Sequence, residues 1–272
     1  MDSHIVAVYC LCDDLLKGLH HYEDPQCRVR DAEIMTIALV AALHFGGNQA
    51  KANRFLYEQG YLRYLLSRSR FNRRLHRIAE LFWSLFHVLG ETWKALNERS
   101  IYIVDSFPVA VCDNYRIRRC RIYQDEAFRG YQASKRRYYY GLKIHLLITE
   151  AGQPVEFMLT PGSFSDTPTL KAFLLDLPEG AQLTGDKAYN DYAVEDLLHE
   201  LGIQFWPLRK QNSKRPLPPW VTYLMAAYRK RIETTGSLIE RILPKHIHAV
   251  TAAGFELKVA LFILACSLTY LG

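Results

Sequence analysis

The sequence predicts an α/β protein in which a five-stranded mixed sheet flanked by helices follows an all-helical N-terminal domain. Apolar residues recur at three- and four-residue steps before residue 100, which is the period of a helix, whereas β-rich apolar runs begin at residue 101. Beyond residue 160, short apolar runs alternate with helical segments, which is typical of strands joined by helices. We therefore expect a helical domain over residues 1–99 and an α/β domain over residues 100–272.

The helical part begins with two short helices that have clear end signals. Residues 32–45 form the first, with Asp31 as its N-cap and Gly46-Gly47 at its end. The second runs from an Asn48 cap through Tyr57 and ends at Gly60. A long amphipathic helix over residues 69–89 follows. Its polar face carries a row of arginines, which fits either a helix-turn-helix-like DNA reader or a solvated structural face.

The second part contains the predicted sheet. Strands are expected at residues 101–111, 138–149, 155–160, 182–185 and 204–208, the second and third of them joined as a hairpin at Gly152. Helices are expected at residues 167–175, 193–201 and 220–243. The apolar run 259–271 is too short to span a bilayer and predicts a buried core helix, so no membrane partner is expected.

Positive charge is concentrated in three blocks. The chain carries 34 Lys and Arg against 28 Asp and Glu, a net charge of +6. Residues 63–77, 116–143 and 207–231 carry net charges of +6, +7 and +7, a total of +20, so the rest of the chain carries −14. Each block alone would fit a solvated face. Three such blocks favour a polyanionic partner such as nucleic acid.

The six scattered cysteines indicate a reduced cytoplasmic protein without a zinc site, and no secretory signal is visible.

Three acidic residues are the candidate catalytic groups. Asp105 interrupts the first apolar strand, Asp186 follows a short strand, and Glu233 lies on the long helix, four residues after Arg229. Each alone also fits an ordinary structural role, at a strand end, in a turn or in a surface ion pair. Together, two strand-end acids and a helical acid can hold two Mg²⁺ (or Mn²⁺) ions for phosphodiester chemistry, because these ions prefer carboxylate oxygens.

Four motifs occur in the order found in bacterial DDE transposases: Asp105-Ser106, Gly141-Leu-Lys143-Ile-His145, Gly185-Asp186-Lys-Ala-Tyr189 and Arg229-Lys-Arg-Ile-Glu233-Thr234. On these motifs the chain resembles the insertion sequence 982 family over nearly its whole length. The resemblance implies an RNase H-like core with Asp105, Asp186 and Glu233 as the metal-binding triad. It also implies metal-dependent cleavage at transposon ends and transfer of the 3′-OH into target DNA.

Supporting and DNA-binding roles are expected for further residues. Lys143 and His145 share a face of the second strand, and His145 contacts a phosphate or a carboxylate unless it is structural. Lys187 steers phosphate unless it is an ordinary solvated lysine, and Arg229 orients Glu233. The expected DNA contacts are Arg70, Arg73, Arg74, Arg77, Arg136, Arg137, Lys210 and Lys230. The expected partners are double-stranded DNA, as terminal repeats and target, and a second copy of the chain in a homodimeric DNA complex at the nucleoid.

Two other functions use the same sequence features. A metal-dependent nuclease would need the same acids without transposition, and a DNA-binding regulator would use them structurally. Within the triad, Glu240 is the alternative to Glu233, because it lies seven residues further along the same helical face. Asp166 is interpreted as a helix N-cap.

Overall fold

The computed structural model describes residues 2–132, 135–173, 176–209, 212–244 and 247–271. The helices of this described part are α1 (Asp2–Gly18), α2 (Asp31–His44), α3 (Gln49–Glu58), α4 (Arg68–Arg77), α5 (Ala79–Ala95), α6 (Asp166–Ala172), α7 (Tyr192–Glu200), α8 (Pro219–Ile242) and α9 (Ala252–Leu268). The strands are β1 (Ile101–Asp113), β2 (Arg129–Gln132), β3 (Arg137–Thr149), β4 (Pro154–Pro161), β5 (Gln182–Gly185) and β6 (Gln204–Pro207).

The strands form one mixed sheet. β1 pairs antiparallel with β3 and parallel with β5, and β5 pairs parallel with β6. β4 is the hairpin partner of β3. The spatial order β4-β3-β1-β5-β6, with the first three strands antiparallel and the last two parallel to β1, is the RNase H-like arrangement that the resemblance implied.

The prediction of five strands was wrong by one, because the structure contains a sixth strand, β2. β2 pairs with the start of β3, on the edge that β4 occupies further along. Glycines permit this crowding: a Cβ on Gly130 would lie 2.5 Å from the carbonyl oxygen of Gly162, and one on Gly162 would lie 2.7 Å from that of Phe128. A four-residue strand containing arginine and glycine has too little apolar alternation to be recognised in the sequence.

The helical elements follow the predicted end signals with two differences, and the structure adds α1, a helix that was not predicted. Asn48 caps α3 by accepting a hydrogen bond from the Lys51 amide at 3.1 Å, as predicted. Asp31 is the first residue of α2 rather than its cap, which is Arg30. The predicted long helix over residues 69–89 is broken at Ile78 into α4 and α5.

The structure divides into two compact units. The helical unit comprises Met1–Val88, Ile239–Ala249 and Ala253–Gly272, and the sheet unit comprises Leu89–Leu238 and Val250–Ala252. Helices α2 and α9 are apolar on all sides and largely buried, which confirms the predicted core helix at the end of the chain. This division differs from a boundary at residue 100, since most of α9 belongs to the helical unit. The functional division into a DNA-end-binding domain over residues 1–99 and a catalytic domain over residues 100–272 stays a prediction.

None of the helices in the described ranges is long and apolar enough to cross a membrane.

Candidate active site

Two of the predicted acids lie side by side on the central strands. The parallel pairing of β1 with β5 ends at Val104 and Gly185; Asp105 is the next residue of β1, and Asp186 directly follows the end of β5. Asp105 therefore lies inside β1, not at its end as the sequence suggested, because β1 continues to Asp113 along β3. The carboxyl end of the parallel pairing is where α/β sheets place their ligands, so this position fits a catalytic site.

The two aspartates share a small cavity. Asp105, Asp186 and Arg229 line a space of about 20 Å³, together with apolar side chains that include Met225 and Ile232 of α8. This volume holds about one water-sized sphere. The site is therefore a narrow polar space between the sheet and α8, within the sheet unit.

The charge on Asp105 is poorly compensated. Burial raises the pKa of this carboxyl to about 6, and the negative charges of Asp186 and Asp166 add to the effect. The Ser106 amide donates to Asp105 Oδ1 at 2.8 Å, and Arg229 contributes positive charge, but these two interactions offset only part of the cost. Such a carboxylate would gain from a further cation beside it.

Arg229 connects the third predicted acid to this pair. Its Nε donates to Glu233 Oε1 at 2.8 Å, and one terminal nitrogen lies 3.5 Å from Asp186 Oδ1. The expectation that Arg229 orients Glu233 at i−4 agrees with this geometry. In the described ranges, no three acidic, His or Cys side chains are close enough to form a metal cluster. Glu233 thus reaches the aspartates through the guanidinium.

Asp166 is a fourth carboxylate beside the site, which the sequence did not reveal. It is the first residue of α6 and not its N-cap, so the predicted role was wrong. Its Oδ1 accepts a hydrogen bond from Ser106 Oγ at 2.7 Å and lies 3.2 Å from Lys143 Nζ. Asp166 therefore braces the residue that follows Asp105, across 60 residues of sequence.

His145 is a buried part of the same network. Ser106 and His145 are paired across β1 and β3. The ring lies between Tyr189 Oη, at 3.3 Å, and Thr160 Oγ1, at 3.0 Å, and burial lowers the pKa of His145 to about 4. The side chain is 1% exposed, so it is not accessible to a phosphate, and its Nδ1 lies 3.8 Å from Asp166 Oδ1, which is the carboxylate contact among the expected alternatives.

The Lys143 side chain also forms its contacts within the protein. Besides its contact with Asp166, Nζ donates to the carbonyl oxygen of Phe164 at 2.7 Å. Lys143 and His145 thus share a face of β3, as expected, and both lie near Asp166 at the start of α6, at 3.2 Å and 3.8 Å.

A groove with several cations adjoins the site. Lys187, Arg229, Lys230 and Glu233 line a space of about 620 Å³, together with Arg209. Lys187 and Lys230 are exposed, whereas Arg209 is held by both carboxylate oxygens of Glu195. The structure therefore brings four of the predicted residues together along one groove.

The other predicted DNA contacts lie elsewhere. Arg136 is exposed, and Arg137 forms an ion pair with Asp113 at 3.3 Å. Lys210 lies outside the described residues. Arg70, Arg73 and Arg77 are exposed on α4.

Arg74 does not belong to that exposed row. Its guanidinium, 14% exposed, contacts Glu23 at 2.8 Å, and it also pairs with Asp31 and the carbonyl oxygen of Val29. Arg74 therefore crosslinks the helical unit internally instead of facing solvent.

Comparison with known proteins identifies the family. The chain belongs to the transposase DDE domain family, whose model matches residues 96–247, more than half of the sequence. No curated protein matches the chain. Among solved structures, a piggyBac transposase synaptic complex with hairpin DNA is similar over 96% of this chain and 71% of that chain, with a TM-score of 0.46 and 10% identity. A pre-cleavage Mos1 transpososome is similar over 92% and 81%, with a TM-score of 0.25 and 14% identity.

Proposed function

We propose that this transposase cleaves DNA at the ends of a bacterial insertion sequence and joins the freed 3′-OH to target DNA. The observation that carries the proposal is the placement of Asp105 in β1 and of Asp186 directly after the adjacent strand β5, beside Arg229 and a cation-lined groove. The proposal assigns catalysis and metal binding to Asp105, Asp186 and Glu233. The four ordered motifs support membership of the insertion sequence 982 family.

The donor set fits Mg²⁺ or Mn²⁺. Asp105 and Asp186 offer hard carboxylate oxygens around a space for one small ion, and the raised pKa of Asp105 indicates a deficit of positive charge. Two ions, when bound, would supply activation of the attacking hydroxyl and stabilisation of the leaving oxygen. Asp105 and Asp186 would hold the first. Release of Glu233 from Arg229 would free a third carboxylate for the second.

The residues around the triad have separate tasks in this proposal. Arg229, freed from Glu233, is available to a DNA phosphate, and Lys187 and Lys230 bind phosphates along the groove. Asp166, Lys143 and His145 hold Ser106, and therefore the adjacent Asp105, in a fixed position.

Since each transposon has two ends, we propose that a homodimer acts on a pair of them; the mass of the purified complex with end DNA measures this.

The test uses the full chain with DNA from the flanks of its own gene. Asp105→Asn and Asp186→Asn should each abolish cleavage of a labelled end duplex in Mg²⁺ or Mn²⁺, because asparagine keeps the size of the side chain and loses its charge. Asp196→Asn is the matched control, since Asp196 lies on α7 in an ion pair with Arg215 and does not line the site. Cleavage at the wild-type rate in either active-site variant would refute the assignment.

The same preparation separates the alternatives. A precut end with a free 3′-OH should become joined to a plasmid in a divalent-dependent reaction. Cleavage without any joining would identify a nuclease, and end binding without divalent-dependent cleavage would identify a regulator.

A further inference from the structure

The helical unit contains a large cavity that the proposed cleavage chemistry does not use. It has a volume of about 650 Å³, which is within the range of small-ligand pockets. Its lining comes from α2, α3, α4, α9 and the segments between them, all within the helical unit. Three cationic side chains from three different helices line it: Arg54, Arg68 and Lys258.

These cations have no counter-charge in the part of the chain that the structure describes. No acidic residue lines the cavity, and none of the three forms an ion pair with a carboxylate among the described residues. Lys258 donates instead to the carbonyl oxygen of His248. Burial, together with the charge of Arg68, lowers the pKa of Lys258. Arg74, in the same unit, shows the opposite arrangement, since two carboxylates neutralise it.

Two polar features point to a ligand with both charge and hydrogen-bonding groups. Asn53 is 5% exposed and lines the cavity. Its amide nitrogen donates to the Leu66 carbonyl oxygen at 2.9 Å, whereas its Oδ1 has no partner within the described ranges. A buried acceptor without a partner is costly unless a ligand supplies a donor. Gln49 and Ala50, at the start of α3, also line the cavity, and a helix N-terminus favours anions.

The remaining wall is apolar and partly aromatic. Phe71 and Phe262 are buried there, at 3% and 2% exposure, with Leu261 beside them. A simple anion would leave this wall unused, whereas a planar heterocycle would pack against it. The lining thus combines cations, an unpaired acceptor and an apolar surface.

We propose that this cavity binds a nucleotide unit, with its phosphate on Arg54, Arg68 and Lys258 and its base against the apolar wall. The base supplies the donor that Asn53 Oδ1 lacks. The nucleotide comes either from a DNA strand or from the free pool, and the chemistry recognised is the same. The proposal is independent of the triad, because no residue of the cavity belongs to it.

Binding can be measured with the full chain in EDTA, which excludes metal-dependent cleavage. Calorimetric titrations would use each deoxynucleoside monophosphate, a single-stranded oligonucleotide and inorganic phosphate. Lys258→Met and Arg68→Gln should each weaken nucleotide binding at least tenfold. Lys51→Met is the charge-matched control, because Lys51 is exposed on α3 and does not line the cavity. If Lys258→Met does not fold, Arg68→Gln, at the exposed start of α4, retains the test.

The source of the nucleotide follows from the ligands that bind. If monophosphates bind saturably and the cavity variants weaken that binding, the ligand is a free nucleotide. If only the oligonucleotide binds, and the cavity variants weaken its binding, the ligand is part of a DNA strand. Affinity for inorganic phosphate equal to that for nucleotides would overturn the proposal in favour of a simple anion site. Equal nucleotide binding by the two cavity variants and Lys51→Met would also overturn it.

Discussion

Asp105 destabilises the fold in its charged form. Its pKa is raised to about 6, chiefly by burial, so the folded protein binds a proton there more tightly than the unfolded chain does. The cost is absent below about pH 4 and is complete above about pH 6. Carboxylates at functional sites commonly show this behaviour, because the arrangement that binds a cation also concentrates negative charge.

We expect Asp105→Asn to raise the free energy of unfolding at pH 8, by up to about 3 kcal/mol for a pKa moved from 3.8 to about 6. The gain should shrink to nothing at pH 4, where the wild-type carboxyl is protonated. Mg²⁺ should raise the melting temperature of the wild type and not that of the variant. Thermal denaturation across this pH range measures both effects, and a stability gain that does not change with pH would contradict the electrostatic explanation.

Glu233 and Glu240 differ in what lies beside them. Both glutamates are exposed. Glu233 is bound to Arg229, which also approaches Asp186, whereas Glu240 forms no ion pair within the part of the chain that the structure describes. Glu233→Gln should therefore eliminate cleavage and keep end binding, while Glu240→Gln should lose less than about tenfold, or about 1.4 kcal/mol of barrier. Single-turnover cleavage with saturating protein compares them. An inactive Glu240→Gln beside an active Glu233→Gln would reverse the assignment.

The acid motifs could be predicted from sequence because each has a local signal: Asp105 interrupts an apolar strand, Asp186 directly follows one, and Glu233 lies four residues after Arg229 on a helix. Asp166 could not, since a Ser-Asp-Thr-Pro segment reads as a helix start, and its contacts with Ser106 and Lys143 depend on tertiary packing. Arg74 was misjudged for a similar reason. Arg74 lies three or four residues from Arg70 and Arg77, the spacing of one helical face, and only the structure shows Glu23 and Asp31 beside it.

At the scale of elements, strand and helix types followed from periodicity, while breaks within a helical pattern did not. The apolar period continues through Ile78, yet that residue has φ −100° and ψ 19° and separates α4 from α5. Ile78 is itself buried, so the apolar pattern gives no sign of the break. Packing of each short helix has overridden the local helical preference.

Gly236 weakens α8 without a steric reason. A Cβ there would meet nothing within 4 Å, so Gly236→Ala should raise the free energy of unfolding by about 1 kcal/mol through helix propensity. Gly90→Ala in α5 is the matched helical control and should destabilise, because its Cβ would lie 2.4 Å from the carbonyl oxygen of Val155. Urea denaturation of both variants measures this. A loss of stability in Gly236→Ala would contradict the explanation by helix propensity.

At the scale of the whole molecule, the three basic blocks have different structural outcomes. In block 207–231, Lys230 and Arg229 line the groove beside the candidate site, whereas Arg209 and Arg215 pair with acids of α7. In block 116–143, Lys143 is directed inward. Charge clustering therefore indicated a polyanionic partner, but it did not tell which cations remain available to it.

Block 63–77 offers the sharpest test of DNA binding, because it contains both kinds of arginine on one helix. Arg70, Arg73 and Arg77 follow one exposed face of α4, whereas Arg74 is nearly buried between two carboxylates. If the exposed face contacts phosphate, Arg73→Ala should weaken binding to duplex DNA and reduce the slope of log K against log salt by about 0.9.

Arg74→Ala, one residue further along α4, should behave differently from Arg73→Ala. This substitution leaves Glu23 and Asp31 without the Arg74 cation, so it should lower the free energy of unfolding by about 3 kcal/mol, as for a broken buried ion pair. The protein that remains folded should keep the wild-type slope of log K for duplex DNA against log salt. Titrations at several salt concentrations, with stability measured in parallel, separate the two effects. A reduced slope in Arg74→Ala together with an unchanged slope in Arg73→Ala would mean that Arg74 leaves its ion pairs to bind DNA, and that the exposed arginines face only solvent.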